Sequence, residues 1–205
     1  MSESMKKPNQ TPESYSPVKP EILCEIEEKQ KTVLPIKPFV RFNTVTLITL
    51  DEEIKVVGLS YEKCRQTGSV ALGSKFDLYS GDKITLQENV INVKQPEIKR
   101  AVWANGDLLF GKEVTDINGQ DEIYASITIP TGRYLKVSWN AENFDELVME
   151  AMEKSWERAG AAAFLEENGL CIAGMGIETY PQDKVYGSET NYPEMYTLHA
   201  VKDKE

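Results

Sequence analysis

Acidic side chains in two strand-like segments are the groups of this sequence best placed to do chemistry. Because side chains alternate between the faces of a strand, Asp107 and Glu113 share one face of the first segment. Glu194 and Tyr196 share a face of the second. If both faces line one cavity, Glu113, Glu194 and Tyr196 meet there. A carboxylate among aromatic rings is unfavourable unless it is paired, so the pattern indicates a site for small hydrophobic or cationic molecules.

The same residues also have an ordinary interpretation. Asp107 and Glu194 stand at the ends of their segments, where a carboxylate is simply solvated, and most aromatic side chains in regular elements belong to the core. Tyr134 and Trp139 lie five positions apart, so at most one of them faces a cavity unless the strand bulges. The ligand-binding candidates are Trp103, Phe110, Glu113, Tyr134, Trp139, Glu194 and Tyr196.

Patterns typical of catalytic or metal centres are sparse. The one histidine, His199, and the three scattered cysteines have no metal-ligand spacing and no disulfide framework. We therefore expect no cofactor and no metal, a structural His199, and Cys171 as a small core residue. The enzymatic alternative to a binding module is a hydrolase that uses Glu194 as general base or electrostatic stabiliser and Tyr196 as proton donor.

Composition and charge bear on the remaining function classes. The 205 residues are 40% hydrophobic and 27% charged, which is typical of a folded domain. With 33 acidic and 23 basic residues the net charge is -10, so a phosphate-binding surface would work against the chain's own field. No apolar stretch approaches the roughly 20 residues of a membrane helix. We expect a cytoplasmic protein without direct nucleic-acid contact. A third alternative is an acidic protein that binds and inhibits a nucleic-acid enzyme by mimicking phosphate charge.

The N-terminal segment differs from the rest of the chain. Six of the ten prolines occur within the first 38 residues, which contain no Trp, Phe or Gly. Such a stretch cannot bury enough apolar surface to offset the entropy of ordering. We predict a disordered or linker tail over 1–37, with one docked helical turn at 22–27, and a single domain over 38–205.

Hydrophobic patterning predicts the elements of that domain. The expected strands are 40–50, 54–61, 98–104, 107–115, 123–129, 133–139, 175–180 and 194–201. Asn105-Gly106 predicts a hairpin, and 123–129 with 133–139 forms a second, less regular strand pair. A clear helix begins after Asn143 and stops by Gly169, with its core at Trp156 and other apolar positions. A weaker helix is expected within 69–92.

These elements predict an α+β domain made of two β-α-β-β units, at about 54–115 and 127–201. Side by side around a pseudo-twofold axis, the units form a concave antiparallel sheet with both helices on its other face. The last strands of the two units then place Asp107 opposite Glu194. A single irregular sheet without internal duplication is the alternative.

Three motifs follow one another in the latter part of the chain. They are Asp107-Leu-Leu-Phe-Gly-Lys-Glu-Val-Thr115, Ile127-Thr-Ile-Pro-Thr-Gly-Arg-Tyr134 and Tyr192-Pro-Glu-Met-Tyr196. Their order and spacing resemble the GyrI-like family, the effector-binding domain that also forms the ligand-sensing half of some AraC- and MerR-type regulators. The second motif has Thr131 where Ala is usual. The resemblance covers about residues 50–203 and brings no helix-turn-helix, so this looks like a stand-alone member.

The resemblance implies a function as well as a fold. Family members have a central pocket between the two units, lined by aromatic residues and one or more acidic groups, that accepts bulky hydrophobic and often cationic molecules. The implied role is an intracellular receptor, a sequestering protein or an effector sensor. Certain stand-alone members are reported to hydrolyse reactive xenobiotics, so the hydrolase stays open.

Overall fold

A single antiparallel sheet organises the domain in the computed structural model, which describes residues 38–188 and 191–205. The tail predicted at 1–37, with its docked turn, lies outside these residues. The sheet's eight strands in this part of the chain are β1 (Asn43–Leu50), β2 (Ile54–Ser60), β3 (Ile98–Ala104), β4 (Asp107–Val114), β5 (Ala125–Ile129), β6 (Gly132–Asn140), β7 (Leu170–Pro181) and β8 (Glu194–Asp203). Their order is β1-β6-β8-β7-β3-β4-β2-β5. The predicted α+β class is confirmed.

The strand order contains the two predicted β-α-β-β units. Strands β2, β3 and β4 lie as β2-β4-β3, and β6, β7 and β8 lie as β6-β8-β7. The units meet at the β3–β7 pair, where Val102 is opposite Ile177. This is the expected pseudo-twofold arrangement. Strand β1 extends the second unit by pairing with β6, and β5 extends the first by pairing with β2.

Two short links force the sheet to curl. Residues 51–53 join β1 to β2 and residues 130–131 join β5 to β6, although each link connects strands six places apart in the order. Six places span roughly 29 Å in a flat sheet, whereas three linking residues reach at most about 15 Å. The prediction of β5 and β6 as a strand pair is therefore wrong, because they belong to opposite halves of the sheet.

The helix-free face of the curled sheet is packed by its own side chains. Seven apolar residues on this face, drawn from both units, are at most 4% exposed. They are Val56, Val102, Leu109, Ile129, Tyr134, Ile177 and Leu198. The concave side of the sheet is thus largely filled.

The helices pack on the other face of the sheet. They are α1 (Tyr61–Thr67), α2 (Asp82–Leu86), α3 (Phe144–Glu146), α4 (Met152–Arg158) and α5 (Ala161–Glu167). A 3-10 turn at Lys75–Tyr79 precedes α2, and a π-helical turn at Leu147–Ala151 joins α3 to α4. Among the described residues, no helix has the length and apolar character that a bilayer crossing demands.

The helix predicted after Asn143 begins and ends where expected but is not continuous. The Asn143 side chain accepts a hydrogen bond from the Glu146 amide at 2.9 Å and caps the first turn. Trp139 Nε1 donates to the Leu147 carbonyl at 3.0 Å, at the start of the π-helical turn. Gly160, with φ of 68°, separates α4 from α5, and Gly169, with φ of 62°, follows α5.

The weak helix predicted within 69–92 is wrong as a single element. The first unit instead has α1, which begins at Tyr61, a residue predicted to end a strand. The Ser60 and Asp107 side chains hold its N-terminus, since Asp107 Oδ1 accepts from the Glu62 amide at 3.1 Å. The later segment breaks into short turns, with Gly81 at φ of 60° between them. Its residues still contribute to the site described next.

Candidate functional site

A mostly apolar cavity of about 320 Å³ lies between the helix face of the sheet and the elements above it. Strands β3, β4 and β7 form its floor. The 3-10 turn, the π-helical turn and the loop after β7 form its walls. Its aromatic lining residues are Phe76, Tyr79, Phe110, Phe144, Tyr180 and Tyr186. The volume is in the range of small-molecule sites.

Glu178 on β7 is the acidic group of this cavity, and aromatic side chains hold its carboxylate. Tyr79 Oη donates to Glu178 Oε2 at 2.9 Å, and Tyr180 Oη donates to the same oxygen at 2.5 Å. Trp103 Nε1 donates to Oε1 at 3.2 Å. All three donors are neutral, so they fill three of the roughly four acceptor positions of the carboxylate and bring no positive charge to it.

The rings around Glu178 form a compact cluster. Tyr79 stacks on Phe110 with centroids 4.5 Å apart, and Tyr180 meets both rings edge-on at 6.1 and 6.0 Å. Phe76 lies 6.4 Å from Trp103. Rings in these arrangements support one another beyond simple burial, and their exposed faces are electron-rich. The carboxylate thus sits among surfaces that attract cations.

Burial and the neighbouring carboxylate change the acidity of the two tyrosines. Desolvation raises the pKa of Tyr79 well above its ordinary range, and the charge of Glu178 raises it further. The pKa of Tyr180 is raised for the same two reasons. Both hydroxyls therefore remain protonated and donate to Glu178 at any physiological pH. The site holds a negative charge in place and offers no tyrosinate nucleophile.

The 3-10 turn at Lys75–Tyr79 explains how a loop segment delivers two rings to the cavity. In a 3-10 helix, side chains at i and i+3 lie one above the other, which places Phe76 and Tyr79 on one side. Asp77 fixes the start of the turn by accepting from the Ser74 amide at 2.9 Å. This backbone contact lowers the pKa of Asp77.

Large apolar side chains surround the mouth of the cavity. Phe76 is 69% exposed, Met149 is 70% exposed and Tyr186 is 62% exposed. Tyr186 stacks on Phe144 with centroids 4.8 Å apart. Met149 belongs to the π-helical turn, a deviation from α-helix that is frequent at functional sites. Exposed apolar groups around a concavity are typical of ligand entrances.

The aromatic residues predicted to bind a ligand lie at different places in the structure. Phe110 lines the cavity, and Trp103 donates to its carboxylate. Trp139 is fully buried beneath the helices, whereas Tyr134 is buried on the opposite face and donates to the Pro130 carbonyl at 2.8 Å. Neither Tyr134 nor Trp139 lines a described cavity.

Glu194 and Tyr196 line a second, more polar cavity of about 340 Å³. Glu194 pairs with Lys184 at 2.7 Å, and Lys136 Nζ lies 4.3 Å from the Tyr196 ring centroid. Both residues therefore meet cations of the chain itself, which leaves little unpaired charge for a ligand.

Glu113 is not brought to Glu194 and Tyr196. It is buried on the helix-free side of the sheet, where Arg100 donates to Glu113 Oε2 at 2.9 Å and Lys94 Nζ lies 3.3 Å from Oε1. Arg100 also donates to Thr179 Oγ1 at 3.1 Å. The expected single cavity that contains Glu113, Glu194 and Tyr196 is therefore corrected by the structure.

Three other side chains considered in the sequence analysis make contacts within the fold and line none of the cavities described above. Asp107 accepts from the Ser60 hydroxyl and caps α1 rather than facing a ligand. His199 meets Trp156 edge-on at 5.0 Å and bonds Thr197. Burial lowers the pKa of His199. Cys171 is half-buried near the start of β7, so the prediction that it belongs to the core is wrong.

Sequence reasoning missed Glu178 and Tyr79. The available signal for Glu178 was its place in a predicted strand, two residues before Tyr180 and hence on the same face. Glu194 is the acid favoured by the sequence instead, because the two-unit alignment places it opposite Asp107 and it shares a strand face with Tyr196. The signal for Tyr79 is its spacing of three residues from Phe76, which predicts a shared helix face within 69–92 but does not indicate what that face contacts.

Several solved structures are similar to this chain. SAV2435, solved bound to tetraphenylphosphonium, is 17% identical; the match covers 77% of this chain and 93% of that one, with a TM-score of 0.50. An integron cassette protein from the mobile metagenome of Vibrio cholerae is 12% identical over 80% of this chain and 100% of its own, with a TM-score of 0.48. EcmrR, in a complex with DNA, is 12% identical over 80% of this chain and 58% of its own, with a TM-score of 0.49.

Sequence comparisons add no closer relationship. Neither a protein-family model nor a curated protein matches this chain. At 17% identity the likeness to SAV2435 establishes a shared fold.

Proposed function

We propose that this domain is a GyrI-like ligand-binding module that captures small hydrophobic cations in the cavity around Glu178. The observation that carries the proposal is the Glu178 carboxylate, held by three neutral aromatic donors in a mostly apolar cavity. Its role would be that of a receptor, a sequestering protein or an effector sensor.

Electrostatics favours a cationic ligand over a neutral one. A carboxylate removed from water is unfavourable, and hydrogen bonds from Tyr79, Tyr180 and Trp103 offset only part of that penalty because they add no positive charge. A cation supplies the missing charge at short range. The same cation contacts the faces of neighbouring rings, which is a second source of affinity.

The comparison with SAV2435 supports this choice of ligand class. That protein has the same fold and was solved bound to tetraphenylphosphonium, a hydrophobic monocation. The same compound is a suitable first probe here.

The arrangement favours binding over hydrolysis. A general base needs a free lone pair directed at water, whereas side-chain donors already occupy three of the roughly four acceptor positions of Glu178. Tyr79 and Tyr180 remain protonated and are already committed as donors. We therefore expect ligands to leave the site chemically unchanged, which mass spectrometry of the ligand after incubation would verify; addition of one water would indicate the hydrolase.

Titration with tetraphenylphosphonium, followed calorimetrically and by Trp fluorescence, tests the site. Glu178→Gln keeps the shape and removes the charge, so we expect affinity to fall by about 1.5–3 kcal/mol, the scale of a charge-assisted contact. Glu194→Gln is the matched control on the other face and should leave affinity unchanged. A loss with Glu194→Gln but not with Glu178→Gln would place the ligand in the second cavity. Thermal melts of both variants show whether each one is folded.

A further inference from the structure

The floor of the cavity carries a positive charge as well as a negative one. Lys99 on β3 lines the same cavity as Glu178. In the β3–β7 register Lys99 is opposite Tyr180, and Ala101 is opposite Glu178. Lys99 and Glu178 are therefore diagonal neighbours on one face of adjacent strands, with Cα atoms roughly 7–8 Å apart.

The surroundings of Lys99 contain more positive than negative charge. Lys99 Nζ lies 3.4 Å from Glu88 Oε1, and Lys112 Nζ lies 2.5 Å from Oε2 of the same carboxylate. One carboxylate thus serves two ammonium groups, and the cluster of Glu88, Lys99 and Lys112 keeps a net charge of about +1. The Lys112 contact, together with Lys99, lowers the pKa of Glu88.

Burial in this cluster is unequal. The side chains of Lys99 and Lys112 are only 13% and 7% exposed, whereas Glu88 is 53% exposed. The two cations are therefore held against the sheet, while their shared partner is largely in solvent. A carboxylate that entered from the cavity would meet Lys99 from the buried side, where screening by water is weakest.

We propose that the preferred ligand of this cavity is a zwitterion: a planar aromatic molecule with a delocalised cation facing Glu178 and a carboxylate or similar anion facing Lys99. This rests on the proposed function and specifies its ligand class. The ligand would neutralise the charge of Glu178 and the excess positive charge of the Lys99 cluster in one binding event, with its ring between them against the aromatic walls.

Two matched dyes test the proposal. One is an unsubstituted rhodamine with a free carboxylate, which is zwitterionic at neutral pH, and the other is the methyl ester of the same dye, which is a monocation. The chain's net charge of -10 favours the ester at long range, so a preference for the zwitterion must come from a local positive group. Fluorescence polarisation gives both affinities.

We expect the zwitterion to bind about tenfold more tightly than the ester, which is the scale of one charge-assisted contact. Lys99→Gln should abolish this preference by weakening the zwitterion alone. Lys184→Gln, which removes a lysine of the second cavity, should preserve it. Glu88→Gln frees Lys99 from its partner and should increase the preference.

Other outcomes separate this inference from the proposed function. If tetraphenylphosphonium binds but the two dyes bind equally, or if the preference survives in Lys99→Gln, the zwitterion proposal is overturned and the cation site stands. If neither dye nor tetraphenylphosphonium binds to the folded protein, both proposals fail.

Discussion

Glu178 and Glu113 are two carboxylates of the same sheet whose hydrogen-bond partners differ in charge. On the helix-free side, Glu113 is 3% exposed and faces the permanent cation of Arg100, which is itself 4% exposed. On the helix face, Glu178 has only neutral partners. The first charge is neutralised within the fold and has no cavity beside it. The second is held only by neutral donors, and that difference is the reason for proposing that Glu178, rather than Glu113, binds the ligand.

Removal of Glu113 should have the largest effect on stability. Glu113→Leu leaves Arg100 buried without its main partner, so we expect the free energy of unfolding to fall by about 3–5 kcal/mol in urea titrations. The double variant Arg100→Met/Glu113→Leu removes both charges and should recover most of the loss. Equal free energies of unfolding for the single and double variants would contradict the explanation that the loss comes from an unpaired buried charge on Arg100.

Removal of one neutral donor should have a smaller effect. Tyr79→Phe keeps the ring against Phe110 and deletes one hydrogen bond to Glu178. We expect the free energy of unfolding to fall by about 1.5–3 kcal/mol, the range for a hydrogen bond to a charged group. Bound tetraphenylphosphonium should raise the melting temperature of this variant more than that of the wild type, because the cation stabilises a carboxylate that has lost a donor. An equal rise in melting temperature in both proteins would contradict the role of Tyr79 in stabilising the charge of Glu178.

The smallest expected effect is the pH response of His199, a half-buried polar group that contacts neither Glu113 nor Glu178. Burial lowers its folded-state pKa below the ordinary value of 6.5, so the unfolded chain binds the proton more readily. The stability contribution of the neutral imidazole is present above pH 6.5 and is lost as the pH falls below it. Melting temperatures across this range should decline more steeply for the wild type than for His199→Gln. Parallel curves would contradict the assignment.

Local features of the fold could be predicted from the sequence more accurately than the face of the sheet that carries the candidate site. The Asn105-Gly106 hairpin forms as predicted, because the positive φ of 52° and 78° at these residues is what the dipeptide allows. The Asn143 cap is equally local. By contrast, the role of Glu178 depends on rings from β3 and from the 3-10 turn, which are distant in sequence. A periodic pattern cannot reveal that convergence.

The position of β1 in the sheet bears on how the chain reaches its native state. Strand β1 precedes the first unit in sequence but pairs with β6 of the second unit, whereas β5 follows the first unit and pairs with β2 of that same unit. Strand β8 lies between β6 and β7 and is the link through which β1 and β6 join the rest of the sheet. Strands β2 to β5 can therefore pair with one another early, whereas β1 and β6 join the sheet only when β8 is present. Because β1 must pair with a strand so distant in sequence, we expect this half of the sheet to form slowly.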